Sequence, residues 1–287
     1  MPEPRLGSVR YLLGAAFYSM AFAEWGDRDA PPVICLHGLT RTGRDFDVLA
    51  ARLARRHRVI CPDFPGRGGS DWLPGSLYQP PSYVQALSHL FSVVGRPVSV
   101  VGTSLGGVVA IVVAVAHGQP IRRIVLNDIG AFIPGAALRR IRDYLVLAEG
   151  DAVPAFADIA AVERHLREVH APFGPLTDAQ WAHMARHSVR KLADGRLALH
   201  YDPAIADPMR AAEPEDVDLW TAWGAVDVPV LLVKGAHSDV LLPDTAERML
   251  HRPRTELHVV PDAGHAPALM DEPTVAAIGY FLAKETA

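Results

Sequence analysis

The sequence predicts an α/β protein, with a mostly parallel central sheet, helices on both faces and an inserted helical segment. Three observations predict it. Apolar runs recur near Val33, Val59, Val98, Ile124, Val230 and Leu257, mostly separated by helical patterns, and continuous apolar strands of this kind belong to sheets buried on both faces. The alternation stops between Asp128 and Val228, where helical patterns continue without a continuous apolar strand. Finally, Gly102-Thr103-Ser104-Leu105-Gly106 stands between the run Pro97-Val98-Ser99-Val100-Val101 and an apolar helical stretch beginning at Gly107, so it reads as a strand, a sharp turn and a helix.

Taken in chain order, Val9 to Leu13 and Tyr18 to Trp25 read as a hairpin feeding the sheet, with Trp25-Gly26-Asp27 as the turn that follows. The same segment imitates a secretory signal, because Arg5 and Arg10 precede an apolar stretch ending in Ala21-Phe22-Ala23. Cleavage there would delete the opening strands, so the hairpin is the expected structure. Val33-Ile34-Cys35-Leu36 is a strand ending at His37-Gly38-Leu39, and the run around Val59 leads into the loop Pro62 to Ser70. Val108 to Ala116 reads as a buried helix that stops at Gly118 with Pro120 beyond it. Within the insertion, Leu138, Ile141, Tyr144, Leu145 and Ala148 share one helical face, and Thr177-Asp178-Ala179-Gln180 is a capping box opening a helix with Trp181 and Met184. Glycine and proline punctuate both ends of the insertion, so the expected organisation is a core of residues 1–130 and 223–287 with a helical lid at 131–222.

Composition narrows the function classes. The 287 residues, 49% of them hydrophobic, suffice for one sizeable core and a lid. With 28 basic against 32 acidic residues the net charge is −4, which leaves no basic footprint for nucleic acid. No apolar run reaches the length of a membrane span. Cys35 and Cys61 lie in predicted strands and read as buried free thiols, the usage of a reducing, cytoplasmic setting. The histidines include no H-E-x-x-H, and His237 and His258 lack ligand spacing, so neither metal nor cofactor is expected. The expected partner is a small-molecule ester, and a homodimer is compatible with the sequence.

The chemistry lies in three turns. A G-x-S-x-G between strand and helix is a nucleophile elbow, whose small residues let the backbone turn tightly enough to expose the serine hydroxyl above the sheet. Ser104 would stand at the start of the following helix, where unpaired N–H groups favour developing negative charge. Asp239 follows the strand Val228 to Val233, and His265, in Pro261-Asp262-Ala263-Gly264-His265, follows Leu257 to Val260. Nucleophile, acid and base thus occur in the order Ser, Asp, His, each just beyond a strand, where ligands of open α/β sheets bind.

With these features the chain resembles the α/β-hydrolase superfamily along nearly its whole length, and most closely its small serine esterases and carbon–carbon bond hydrolases. Val33 to Leu39 is similar to the family's strand and oxyanion turn. Asp63-Phe64-Pro65-Gly66-Arg67-Gly68-Gly69-Ser70 resembles its D-x-x-G-x-G-x-S loop, and Gly264-His265 followed by Asp271-Glu272-Pro273 resembles its catalytic-histidine turn and last helix. The resemblance implies a serine hydrolase acting on small to medium carboxylic esters, with Ser104 as nucleophile, His265 as base and Asp239 orienting the imidazole. Asp128 also follows a strand and is the alternative acid, since the superfamily occasionally places its carboxylate there. The oxyanion would fall to the backbone N–H groups of Leu39 and Leu105, and His37 reads as a structural histidine beneath the oxyanion turn. Arg41, Phe132 and Trp181 are the expected substrate-binding residues, Arg41 as an anchor for a substrate carboxylate. Carbon–carbon hydrolysis, enol-lactone hydrolysis and non-catalytic ligand binding are the alternative activities.

Overall fold

Alternation of buried residues between two faces organises the central sheet. The computed structural model describes residues 3–146 and 154–284. Strands β1 (Arg5–Leu13), β2 (Ala16–Trp25), β3 (Pro32–Leu36), β4 (Arg58–Pro62), β5 (Val98–Thr103) and β6 (Ile121–Asn127) form its first part, together with helices α1 (Asp47–Leu53), α2 (Pro80–Val94) and α3 (Leu105–Ala114). An insertion follows, made of β7 (Phe132–Ile133), α4 (Gly135–Val146), β8 (Ala155–Phe156), α5 (Ile159–Val169), α6 (Asp178–His187), β9 (Val189–Lys191), β10 (Leu197–Leu199), α7 (Asp207–Arg210), β11 (Val217–Asp218) and α8 (Trp220–Ala225). The chain then returns to the sheet with β12 (Val230–Gly235), α9 (Pro243–Leu250), β13 (Thr255–Val260) and α10 (Glu272–Ala283).

The eight-stranded sheet has the order β1-β2-β4-β3-β5-β6-β12-β13. It is parallel from β4 to β13, while β1 pairs antiparallel with β2 and β2 with β4. Ile34, Leu36, Val100, Ile124, Leu126 and Leu232 face one core layer, to which α2 and α3 contribute Leu87, Leu90, Val109 and Ile111. Their sequence neighbours Val33, Cys35, Val101, Val125 and Val233 face the other, with Leu49 and Leu53 of α1 and Ile278 and Phe281 of α10. With both faces covered, β3, β4, β5 and β12 read as nearly unbroken apolar runs, whereas the edge strand β13 alternates and leaves Leu257 and Val259 exposed.

The segment that imitates a secretory signal is the β1–β2 hairpin. Its two-residue turn has Gly14 at φ 58°, the register runs from Leu13 opposite Ala16 to Arg5 opposite Glu24, and Tyr11 and Met20 are fully buried. Glu24 is buried and accepts from Arg5 (2.7 Å) and Arg58 (2.7 Å), which joins β1, β2 and β4 through one carboxylate. Burial raises the Glu24 pKa, but the bonds to Arg5 and Arg58 outweigh it and hold the group below its ordinary value.

The insertion is not wholly helical. Its described part contains α4 to α8, a three-stranded sheet β8-β10-β9 and the pair β11-β7. These strands are two or three residues long, too short to impose a period on the sequence. The Thr177 and Gln180 side chains form the expected capping box of α6. Of the apolar face expected on α4, Ala148 lies outside the described residues. No helix among the described residues is long and apolar enough to cross a membrane.

Helix α3 packs against β3 so closely that a Cβ on Gly106 would lie 2.1 Å from the Leu36 carbonyl oxygen, a backbone atom that cannot rotate away. Gly106→Ala is therefore expected to destabilise the fold by about 1–3 kcal/mol, measured as a lower urea midpoint at unchanged m-value. For Glu24 the folded-state pKa is depressed, so its contribution is present above the unfolded value and lost as pH falls through the folded one. The stability difference between wild type and Glu24→Gln should stay constant from neutral pH to about pH 5 and shrink below that; a difference that grew on acidification would contradict the assignment.

Candidate active site

Ser104 occupies the turn between β5 and α3 with φ 51° and ψ −115°. This left-handed conformation is unfavourable for a residue with a Cβ, and the packing around it enforces it. The Ser104 N–H donates to the Asn127 carbonyl (3.1 Å) on neighbouring β6, while its own carbonyl accepts from Gly107 (2.8 Å) and Val108 (3.0 Å). A Cβ on Gly102 would come within 2.6 Å of the Gly106 backbone, so the elbow closes only with glycine there.

His265 follows β13 on a loop held from two sides. Asn127 Nδ2 donates to the Pro267 carbonyl (2.8 Å) from the core, and Gly264 N–H donates to the Pro172 carbonyl (2.7 Å) of the insertion. Its Nε2 lies 2.9 Å from Ser104 Oγ and its Nδ1 lies 2.9 Å from Asp128 Oδ2. The carboxylate requires the proton on Nδ1, which leaves Nε2 to accept from the serine hydroxyl.

Of the two carboxylates considered in the sequence, the structure brings Asp128, not Asp239, to His265. Asp128 directly follows β6, the strand beside β5, and is fully buried with φ 56°. Its Oδ1 accepts from the Gly235 N–H (2.8 Å), and its Oδ2 accepts from Ser238 Oγ (2.5 Å) as well as from His265. Asp239 stands farther along the same turn after β12, half exposed, with both oxygens on Arg140 of α4 at 2.7 and 2.8 Å. Burial raises the Asp239 pKa, yet the bonds and charge of Arg140 outweigh it and hold the group below its ordinary value. Its neighbour Ser238 is the residue of this turn that reaches the site, donating to Asp128 Oδ2.

The turn after β3 lies against the elbow, since a Cβ on Gly38 would meet Ser104 Cβ at 3.8 Å. Leu105 is the first residue of α3, where the N–H has no intrahelical acceptor. Leu39 lines the cavity beside Ser104, and its carbonyl accepts from Arg67 Nε (2.8 Å). Arg67 is fully buried, binds Tyr83 Oη (2.9 Å) and lies over the rings of Tyr78 and Tyr83. This anchor of the turn after β3 was not singled out in the sequence, although an arginine inside a Gly-rich loop after a strand is its visible signal. His37 accepts from the Phe64 N–H at Nε2 (2.8 Å), so Nδ1 carries the proton and donates to the Gly38 carbonyl (2.7 Å). Complete burial pushes its pKa down to about 3, and it is a neutral brace beneath the turn.

A cavity of about 250 Å³ opens above Ser104 and His265. The core side of its wall comes from residues 37–41, 45–46, 103–104 and 265–268, and the opposite side from Arg140, Ile141 and Tyr144 of α4 and from Val169, His170 and Phe173. Thr40 Oγ1 and Tyr144 Oη are 2.7 Å apart across it. Arg41 reaches this wall, but its guanidinium is occupied by Asp45 in a two-point pair (2.7 and 2.7 Å), Ser188 Oγ (2.9 Å) and His170 Nε2 (3.4 Å). An arginine so engaged is a strut between the core and the insertion rather than an anion receptor. Phe132 and Trp181 do not line the cavity. Phe132 pairs with Asp218 between β7 and β11, and Trp181 is buried in the core beneath Arg167.

Comparison with known proteins agrees with this geometry. A model of the Alpha/beta hydrolase family matches residues 33–277. The chain is 38% identical to the 3-hydroxybutyrate-oligomer hydrolase of Cupriavidus necator, across 97% of this chain and 98% of that protein. It is 28% identical to an esterase of Mycobacterium tuberculosis, across 85% and 79%. Among solved structures, an alpha/beta hydrolase from Novosphingobium aromaticivorans superposes with a TM-score of 0.86 at 36% identity, covering 98% and 99% of the two chains. A hydrolase-like protein from Rickettsia typhi, described as a putative hydrolase, superposes with a TM-score of 0.89 at 28% identity, covering 98% and 100%. The fold, the matched family model and the full-length relatives together establish that the chain belongs to the alpha/beta hydrolase family.

Proposed function

We propose that the protein is a serine hydrolase of carboxylic esters, with Ser104 as nucleophile, His265 as general base and acid, and Asp128 as the carboxylate that orients the imidazole. The observation that carries this reading is the unbroken line from Ser104 Oγ through His265 to Asp128 Oδ2, with 2.9 Å at each step. A serine hydroxyl is a weak nucleophile until a base removes its proton. His265 Nε2 takes that proton as Oγ attacks the ester carbonyl carbon, and Asp128 stabilises the imidazolium that forms. The resulting oxyanion is received by the N–H groups of Leu39 and Leu105, each such donor being worth about 3 kcal/mol of barrier. Collapse breaks the C–O bond, and His265 returns the proton to the departing alkoxide oxygen. Water, deprotonated by the same nitrogen, then cleaves the acyl-enzyme and releases the acid.

For the substrate we favour short oligoesters of 3-hydroxy acids. The 38% identity to a 3-hydroxybutyrate-oligomer hydrolase, over nearly the whole of both chains, supports this choice. So does the cavity, whose wall is mostly apolar for an acyl chain yet presents the Thr40 and Tyr144 hydroxyls as partners for a substrate hydroxyl. The insertion acts as the lid, covering the acyl site through α4 and the segment 169–173. The unpaired Cys35 and Cys61 support a cytoplasmic setting.

Ser104→Ala is expected to abolish both turnover of p-nitrophenyl butyrate and labelling by a fluorophosphonate, with the folded structure retained. Asp128→Asn should lower kcat by about 10⁴-fold, the scale of a lost orienting carboxylate, whereas Asp239→Asn should lower it less than about tenfold; the reverse order would return the acid role to Asp239. On substrate, linear dimers and trimers of 3-hydroxybutyrate should be cleaved with higher kcat/KM than p-nitrophenyl esters of equal acyl length that lack the hydroxyl. Equal or lower values would remove the hydroxy-acid reading and leave the esterase mechanism standing.

A further inference from the structure

Behind the wall of this cavity lies a second constellation that the esterase chemistry does not use. Helix α6 carries His183 and His187 four residues apart, hence on one face, with ring centroids 4.5 Å apart. That face packs against the first turn of α1, where Asp47 is buried. One ligand atom from each of the three lies within 4.8 Å of the others. His183 Nε2 stands 3.0 Å from Asp47 Oδ2, so a ring nitrogen and a carboxylate oxygen already face each other across the seam. Two lone-pair-bearing atoms held this way are complementary to a cation between them.

We infer that Asp47, His183 and His187 form a binding site for a divalent transition-metal ion of the zinc or cobalt class, bridging the core and the insertion. Two imidazoles and one carboxylate are a donor set that such ions accept, with bonds of about 2.0–2.2 Å. Ligand atoms on a tetrahedral ion are then about 3.4 Å apart, so side-chain rotation alone closes the cluster. Three protein ligands leave a position for water.

Arg44 now holds Asp47, with Nε 2.9 Å from both carboxylate oxygens and Nη2 2.6 Å from Oδ2, and its Nη2 is 3.4 Å from His187 Nε2. The guanidinium thus fills the place of a cation. A metal ion takes Oδ2 and the two imidazoles and so displaces the Arg44 guanidinium, whose Nη2 now donates to that oxygen. The surroundings tolerate the added charge because Arg41 and Arg44 are matched by the carboxylates of Asp45, Asp47 and Asp63. Beside the cluster, Thr42 Oγ1 donates to the His187 carbonyl (3.4 Å) and Arg41 to Ser188 Oγ (2.9 Å). An ion here would tighten an existing seam between α1 and α6.

The test is titration of the chelator-treated, full-length protein with Co²⁺, followed by visible absorption, and with Zn²⁺, followed by thermal unfolding. One Co²⁺ per chain with the absorption of a nitrogen- and oxygen-ligated ion is expected, and Zn²⁺ should raise the Tm in a concentration-dependent way. His183→Gln and His187→Gln should each weaken Co²⁺ affinity about tenfold or more, and Arg44→Gln, which removes the competing cation, should strengthen it. Absence of the absorption in the wild type, or affinity unchanged in both histidine variants, would overturn the site. If the histidine variants fail to fold, Arg44→Gln decides, unchanged or weakened affinity counting against the proposal. None of these readouts depends on ester hydrolysis, so the outcome is separate from that of the function proposed above.

Discussion

A fully buried carboxylate, that of Asp128, is the constraint around which the site is assembled. A charge removed from water is tolerated only where hydrogen-bond donors replace its hydration, and here the donors come from three places: the Gly235 N–H at the end of β12, the Ser238 hydroxyl in the following turn, and the His265 imidazole beyond β13. One side chain just beyond β6 therefore fixes how the ends of the two strands beyond it in the sheet order are arranged. Ser104, on the strand on the other side of β6, is tied to the same point through its N–H bond to Asn127. The left-handed backbone of both Ser104 and Asp128 is sustained by this mutual support.

The turn after β3 is held by a separate set of buried polar groups. His37 braces it from below through Gly38 and Phe64, and Arg67 grips the Leu39 carbonyl from the side. Arg41, two residues beyond Leu39, connects the same turn to Ser188 of the insertion. The core thus fixes Ser104, His265 and Asp128 through hydrogen bonds among strand ends, while the wall of the cavity above them is shared with α4 and the segment 169–173.

Much of this was legible in the sequence, and the exceptions have physical reasons. The inner parallel strands declare themselves because burial on both faces leaves few polar positions to interrupt them. Ser104 and His265 were singled out because each sits in a turn whose glycines mark a sharp change of direction after a strand. Which aspartate meets the histidine depends on strand adjacency: β6 lies beside β5, a fact of topology that no local pattern around Asp128 or Asp239 encodes. Phe132 and Trp181 were read as pocket groups because periodicity identifies an apolar face without saying whether core or cavity lies opposite it. Arg41 was read as a carboxylate anchor although Asp45, one helical turn later, was already available to it. His183 and His187 have ligand spacing on one helix face, but their third partner, Asp47, is supplied only by the docking of α6 on α1.

The β1–β2 hairpin gives the molecule a protection that has nothing to do with chemistry. Strand β2 pairs along β4 from Trp25 opposite Val59 to Phe22 opposite Pro62, and so covers a row of amide and carbonyl groups on a strand that is almost wholly apolar. Without the hairpin that row would become an uncovered apolar margin, the kind of surface on which chains add to one another strand by strand. Loss of the first two dozen residues would accordingly yield an assembling, insoluble chain rather than a smaller working protein. The outer margin is left instead to β1, where Arg5 and Arg10 interrupt the row with charge.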